Sequence, residues 1–265
     1  MPEGDTIATL AQQLNTVLAG DTLRAIEVLR PFRWRRKDCV VREVHSLGKR
    51  LLIELDSGHT VQSHLGMHGR WRTYQLYKIT AATRRRAHLI LSNRDYAFVC
   101  TNAKDVGVFE PDGDQLRRRD FALRVGPDLT RQCDLDDVVQ RVRGTLAPDA
   151  LMMDVLLNQQ VASGIGNVFK SELLFVEGKP VTCRLGDIDD AELRRFYAQA
   201  NVWLQANVGP GRRRTRDSGG DRRAARLWVY DRAGRPCLRC QTIVASALLG
   251  KDARRTYWCP ACQAS

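Results

Sequence analysis

In the first twenty residues the apolar positions Ile7, Leu10, Leu14, Val17 and Leu18 recur every three or four places. This is the spacing of one helical face, and it predicts an amphipathic helix from Glu3 to Ala19 with Gly20 as its C-cap. The period then changes. TLRAIEVL, VVREVH, LLIEL, TVQSHL, AHLILS and YAFVCT are short segments of β character, parted by turn signals such as LDSG and LSNRD. They predict an antiparallel sandwich or barrel reaching to about Phe121. Gly126-Pro127 breaks the chain within RVGPDLT (124–130). Helical spacing returns in DLDDVVQRVRG, ALMMDVLLNQQ, NVFKSELLFVEG and DDAELRRFYAQANVWLQ. VGPGRRRTRDSGGDRRAAR (208–226) is nearly free of apolar residues and reads as a mobile basic loop. The expected organisation is α+β: a β-sandwich domain over 1–123, a linker over 124–133, a helical domain over 134–224 and a cysteine module over 225–265.

Charge narrows the class of partner. The 265 residues carry 42 Lys+Arg against 30 Asp+Glu, a formal net charge of +12. Such a surplus points to a polyanion, most simply nucleic acid, or to an anionic membrane surface. No apolar run approaches the ~20 residues needed to span a bilayer. The N-terminus lacks the basic region and apolar core of a signal peptide. The expectation is a soluble, intracellular protein.

The eight cysteines fall into two groups. Cys39, Cys100, Cys133 and Cys183 are scattered and read as reduced core thiols. Cys237, Cys240, Cys259 and Cys262 form two C-x-x-C pairs separated by eighteen residues. Each pair can aim two thiolates at one tetrahedral ion, and the interval suits a β-hairpin that returns the second pair to the first. Zn²⁺ is the expected metal, because four thiolates suit it and it needs no redox partner. A module of some forty residues has little core of its own, so the metal is expected to hold it folded. Two disulfides are the alternative.

Five other places carry candidate chemistry. MPEGDT puts proline and glutamate at a helix start. Loss of Met1 would give Pro2 a free secondary amine beside the Glu3 carboxylate, a nucleophile next to a proton donor; a frayed terminus is the alternative. SLGKRLLIEL puts Lys49 in a turn before a buried strand. SHLGMHGRW puts Met67 and His68 in a glycine-flanked loop, where Met67 is either a core residue or an exposed wedge for base stacks. QQVASGIGNVFKSELL joins two helical segments through Gly164 and Gly166, so that Asn167 and the free N–H groups of the next helix would face an anion. In DARRTYWC, Arg254 and Arg255 are adjacent on a strand and point to opposite faces, so only one of them can reach a given phosphate.

Taken in order, MPEGD, GKRLLIEL, SHLGMHG, GIGNVFKSE and RRTYWCPACQ resemble the motifs of the bifunctional DNA glycosylases of the formamidopyrimidine-DNA glycosylase/endonuclease VIII family, over essentially the whole chain. The resemblance implies a two-layered β-sandwich, a helix–two-turn–helix motif and a β-hairpin zinc finger. It implies base excision and β,δ-elimination on damaged DNA through a Schiff base on Pro2, with Glu3 as the proton donor. Lys49, Asn167 and Arg254 match residues that hold phosphates around a flipped nucleotide. The implied protein is a monomer acting on DNA in the cytoplasm, at the nucleoid.

MPEG resembles the endonuclease VIII branch, which removes oxidised pyrimidines. The other branch carries an Asp-Pro-Arg-Arg-Phe-Gly stretch that fills the gap left by the flipped base; here NAKDVG (102–107) stands there, with Lys104 and Val106 at the two gap-filling positions. The endonuclease VIII pattern supplies a gap-filling loop where this chain has Gly66, Met67 and His68, so the resemblance implies Met67, and less directly His68, as the wedge. Thr6 replaces a carboxylate usual three residues after Glu3, and Asn158-Gln159 replaces Asp-Gln. The rival readings are formamidopyrimidine/8-oxoguanine specificity and a non-catalytic zinc-ribbon protein that binds damaged DNA.

Overall fold

The computed structural model describes residues 2–111, 125–217, 219, 221 and 223–264. The chain forms two compact units, Met1–Leu123 and Arg124–Ser265. In the first, helix α1 (Gly4–Leu18) follows Glu3, whose extended backbone makes it the N-cap. Ten strands come next among the described residues: β1 (Thr22–Leu23), β2 (Ala25–Val28), β3 (Trp34–Arg36), β4 (Cys39–Leu47), β5 (Arg50–Leu55), β6 (Thr60–His64), β7 (Arg70–Gln75), β8 (Ala87–Ser92), β9 (Tyr96–Thr101) and β10 (Asp105–Phe109). A short helix α2 (Ala81–Arg86) precedes β8.

The strands form two five-stranded sheets, in the orders β1-β4-β5-β6-β10 and β3-β2-β8-β9-β7. One core joins them: Leu51, Ile53 and Val61 of the first sheet cluster with Ile26, Leu89 and Phe98 of the second, and with Ile7, Leu14 and Leu18 of α1. TLRAIEVL, which reads as one strand, is two. Thr22 and Leu23 pair with Val40 and Cys39, whereas Ala25 to Val28 pair with β8, so the chain changes sheets at Arg24. Such a change makes the corner of a sandwich. β3 and β7 are edge strands whose exposed arginines weaken the apolar signal of a strand.

Register fixes what lies at each end of this unit. The Gly20 N–H donates to the Val41 carbonyl at 2.9 Å, and the Val44 N–H donates to Asn15 Oδ1 at 2.7 Å. Helix α1 therefore runs against β4, and its N-terminus is directed toward the turn where β4 gives way to β5. His64, the last residue of β6, lies between Arg50 and Asp105, the first residues of β5 and β10. The loops that follow β6 and β9 thus stand at the same end as the β4–β5 turn.

The second unit holds α3 (Leu135–Thr145), α4 (Met152–Leu157), α5 (Asn167–Val176) and α6 (Asp190–Ala206) around a core that includes Val142, Leu156, Phe169, Leu173, Phe196 and Leu204. The helix expected across ALMMDVLLNQQ stops at Leu157. Polar side chains compete with the helix there: Asn158 Oδ1 accepts from the Gln160 N–H, and the Gln159 amide donates to the carbonyls of Leu157 and Ile165. The described part of 124–133 lies against this turn. Gly126 donates to the Gln159 carbonyl, Leu129 is buried, and a Cβ on Gly126 would come within 2.4 Å of the Val161 carbonyl carbon. A hairpin of β11 (Ala245–Leu249) and β12 (Arg254–Trp258) completes the unit.

The described part of 208–226 is anchored at Thr215, where a mobile loop is expected. Glu172 of α5 has no exposed surface, and its carboxylate accepts from the backbone N–H groups of Trp228, Val229 and Tyr230 at 2.7–2.9 Å and from the Thr215 hydroxyl. Thr215 is buried, and its N–H donates to the Arg226 carbonyl. Burial pushes the Glu172 carboxyl pKa up, against the opposing effect of these four donors. In Glu172→Ala these donors lose a buried acceptor. The expected cost is about 3–5 kcal/mol, read as a lower denaturation midpoint in urea. A loss under about 1 kcal/mol would mean that water replaces the carboxylate without penalty.

Candidate active site and nucleic-acid interface

Pro2 is half-buried and Glu3 fully buried at the start of α1, where the helix presents the positive end of its dipole. Thr6 is exposed, but a second carboxylate is present one residue earlier. Asp5 is buried, and its Oδ1 accepts from the N–H of Thr6 at 2.7 Å. The sequence pattern misses it because Asp5 stands one place before the family's usual position.

Lys49 stands half-buried in the β4–β5 turn, beside Gly48 at φ 56°. Next to it, Arg50 donates to Asp105 at 2.7 Å and to Gln62 at 3.2 Å. His64 lies among these groups. Burial first, then the charges of Arg50, Lys104 and Lys49, lower its pKa to about 4, with Asp105 opposing them. A dense positive field therefore sits where the turn and loops meet.

Between β6 and β7, Leu65 and Gly69 are buried and pin the loop, while Met67 is 62% exposed and His68 is exposed. Gly69 has no room for a side chain, since a Cβ there would lie 2.4 Å from the Leu65 carbonyl oxygen. Met67 is thus outside the core. Val106, by contrast, is buried in the sandwich core, and Lys104 packs under Gly66. Neither Lys104 nor Val106 presents an aromatic wedge. Pro2, Glu3, Lys49, Met67 and His68 all belong to the end of the first unit toward which α1 points.

In the second unit Asn167 opens α5 after Gly166, whose backbone is extended, and Gly164 takes φ 114°. The Asn167 side chain points into the protein. Its Nδ2 donates to the Arg255 carbonyl at 2.7 Å, and its Oδ1 accepts from Lys170 Nζ at 2.8 Å. Lys170 is fully buried and also donates to Thr256 Oγ1 at 2.6 Å. The amide expected to face an anion directly instead fastens the first turn of α5 to β12, the strand that carries the arginines. Lys170, Glu172 and Thr256 are functional candidates that sequence reasoning missed. Their signal is a Lys and a Glu inside the apolar run VFKSELLF.

Arg254 and Arg255 do point apart. Arg254 donates to Asp252 at 3.1 Å, on the face shared with Thr256, and Arg255 donates to Ser246 at 3.3 Å. The four paired cysteines converge, with their Sγ atoms all within 4.8 Å of one another. The pairs Cys237–Cys262, Cys240–Cys259 and Cys240–Cys262 stand at 3.9, 3.4 and 3.4 Å. Four thiolates about 2.3 Å from a tetrahedral ion would stand about 3.8 Å apart, so the donor set fits one metal ion. None of the four is disulfide-bonded in this structure. No helix among the described residues is long and apolar enough to cross a membrane.

Comparison with known proteins adds four findings. Residues 1–108 match the family model of the formamidopyrimidine-DNA glycosylase N-terminal domain. The chain is 36% identical to the DNA-(apurinic or apyrimidinic site) lyase Nei2 of Mycolicibacterium smegmatis, over 99% of both chains. It is 37% identical to endonuclease 8 2 of Mycobacterium tuberculosis, over 99% of this chain and 100% of that one. In fold it is similar to the Lactococcus lactis formamidopyrimidine-DNA glycosylase bound to DNA containing an AP site, with a TM-score of 0.80 at 19% identity, covering 99% of this chain and 100% of the other.

The field around His64 has a measurable consequence. Its folded-state pKa lies below the ordinary value, so the folded chain binds fewer protons than the unfolded chain. Stability should therefore fall as pH drops from about 6.5 toward about 4. An NMR titration should give a His64 midpoint near 4, and His64→Gln should remove part of the acid-side loss in thermal melts. A midpoint above about 6 would rule out this burial and field.

Proposed function

We infer the reaction from one premise: the chain belongs to the formamidopyrimidine-DNA glycosylase/endonuclease VIII family. Its class is DNA repair, as a DNA glycosylase with AP lyase activity. We propose that it excises oxidised pyrimidines from DNA and cuts the strand by β,δ-elimination. The observation that carries this reading is the placement of Pro2 and Glu3 at the start of α1, a helix directed at the end of the sandwich that holds Lys49 and the Met67–His68 loop.

The target nucleotide must leave the stack before its C1′ can be reached. Met67 fills the gap it leaves, with His68 beside it. Lys49, Asn167 and Arg254 hold phosphates, which positions the strand without reading sequence. The Asn167 amide is bound to the Arg255 carbonyl, so this phosphate contact falls where the start of α5 meets β12. After removal of Met1, which lies outside the described residues, the Pro2 nitrogen attacks C1′. An α-amine titrates near pH ~8, and the positive end of α1 favours its uncharged, nucleophilic form.

Glu3 gives a proton to the sugar ring oxygen. The C1′–O ring bond breaks, the Pro2 nitrogen loses its proton, and its lone pair then expels the base, which leaves with the electron pair of the C1′–base bond and takes up that proton, so that an iminium joins Pro2 to C1′. The iminium takes up the electron pair left when a C2′ proton departs, and elimination breaks the C3′–O bond. A second elimination breaks the C5′–O bond, and hydrolysis frees Pro2. The specificity rests on the buried Val106 and on Lys104, which leave no arginine–phenylalanine pair for an 8-oxoguanine site. Cys237, Cys240, Cys259 and Cys262 hold a Zn²⁺ that keeps the finger folded and takes no part in the chemistry. The enzyme works as a monomer, where the DNA is, in the cytoplasm.

Borohydride should trap a covalent adduct on abasic DNA through residue 2, with Met1 absent by mass spectrometry, and excision of 5-hydroxycytosine or thymine glycol should exceed that of 8-oxoguanine opposite cytosine. An adduct mapping to Lys49, with Pro2→Gly trapping as well as the parent, would sink the nucleophile assignment. Preference for 8-oxoguanine would move the enzyme to the other branch.

Metal analysis should give about one zinc per chain. Cys259→Ser should release it and weaken binding of abasic DNA at least about tenfold, while α1 and the sandwich stay folded by circular dichroism. A metal-free chain that binds DNA equally well would remove zinc from the mechanism.

A further inference from the structure

The wedge end of the first unit extends beyond the candidate site. Sheet register places four chain segments in a row along one end of β3-β2-β8-β9-β7. Arg70, which follows the Met67–His68 loop, pairs with Thr101, and Thr101 pairs with Ala87. Ala87 follows α2, whose last turn is Arg84, Arg85 and Arg86. The Arg30 N–H donates to the His88 carbonyl, and Val28 pairs with Trp34, so the turn 29–33 between β2 and β3 stands at this end too. From the wedge loop outward the order is the 102–104 loop, the α2 arginines, then Arg30 and Arg33.

These arginines are not a balanced ion-pair surface. Glu27 is the one carboxylate within reach among the described residues, and it is shared by Arg84 at 2.7 Å and Arg35 at 3.7 Å. Arg30 donates to the Arg85 carbonyl at 2.7 Å, which draws another cation onto the negative end of α2. Arg30, Arg33, Arg85 and Arg86 are exposed, and no carboxylate pairs with any of them among the described residues. A solvated face would gain from interspersed acids; this row concentrates like charge and bears the repulsion.

Strand spacing gives the row a length. The β8 edge lies two strands from β7, roughly 10 Å, and β3 lies four strands away, roughly 19 Å. Along duplex DNA this corresponds to about three to six base pairs beyond a wedge set at Met67. We propose that Arg30, Arg33, Arg85 and Arg86 form a second DNA-contact surface that grips backbone phosphates of the duplex about three to six base pairs to one side of the lesion. It rests on the reading of Met67 as the wedge and deepens it: the surface lengthens the footprint in one direction, and it adds affinity without touching the chemistry.

The test uses Arg33→Ala/Arg85→Ala/Arg86→Ala in the full chain, with Arg85→Glu/Arg86→Glu as a second variant. Binding to abasic-analogue duplexes is titrated at several salt concentrations. One duplex has about twelve base pairs on each side of the lesion, and two others keep only about two base pairs on one side or the other. On the long duplex the triple variant should bind at least about tenfold more weakly, with a salt slope lower by roughly 0.9 for each phosphate it no longer neutralises. Trimming one flank, and only that flank, should abolish the difference between variant and parent. The single-turnover cleavage rate at saturating DNA should be unchanged.

An equal loss on all three duplexes, or no loss on any, would overturn the proposal. So would a lower saturating rate with unchanged affinity. A parent protein that fails to trap on abasic DNA, yet loses affinity on one flank only in the variant, would instead leave this surface standing and sink the catalytic reading. A parent that binds tightly while Met67→Ala changes nothing, and the flank effect is absent, would sink both.

Discussion

Two buried charges on one helix hold the second unit together. Glu172 and Lys170 lie within two residues of each other on α5, both without exposed surface. Burying a charge is costly unless donors or acceptors replace the water it loses. Here that requirement fixes the architecture. The Glu172 carboxylate gathers the backbone at 228–230 and the hydroxyl of Thr215. The Lys170 ammonium gathers Asn167 and Thr256. One helix thereby sets the entry to the cysteine module, the root of the arginine-rich loop and the strand bearing Arg254. The finger has a small core of Phe175, Val229, Val244 and Tyr257, so these polar ties and the metal donors carry much of its order.

The same arrangement makes rigid the residues proposed to meet a phosphate. The first-turn N–H groups of α5 follow a glycine turn, and the Asn167 amide is held by an acceptor on one side and a cation on the other. Fixed donors lose little entropy when a phosphate arrives. Arg254 is held by Asp252 in the free chain, an exposed pair that a phosphate can displace at small cost.

The first unit meets a different constraint. The amine and carboxylate proposed for the chemistry are useful only if a rigid element holds them against the substrate. Helix α1 does this by burying Ile7, Leu14 and Leu18 in the same core as both sheets, so its N-terminus moves only if the sandwich moves. The loop beyond β6 is built the opposite way. Leu65 and Gly69 anchor it and Met67 stands out, which exposes an apolar side chain that packing would otherwise claim. In the proposed reading that exposed side chain is the wedge.

Much of this was legible in the chain itself. Helix α1, most central strands, the four thiols and the glycine turn each follow from local spacing, because periodicity and C-x-x-C geometry operate within a few residues. The sequence also put Met67 in a loop, and left open whether it was buried. Tertiary structure decided that, since burial depends on neighbours distant in the chain. It decided too that Asn167 faces the finger and that Lys170 and Glu172 are interior, because their partners lie at Thr256, Arg255 and 228–230, far along the chain. The sheet change at Arg24 and the row of arginines from α2 to the β2–β3 turn have the same origin: strand register joins segments that no local pattern relates. What the residues determine within a turn of chain is their type of element and their chemistry; which of those chemistries meet is set by packing across the fold.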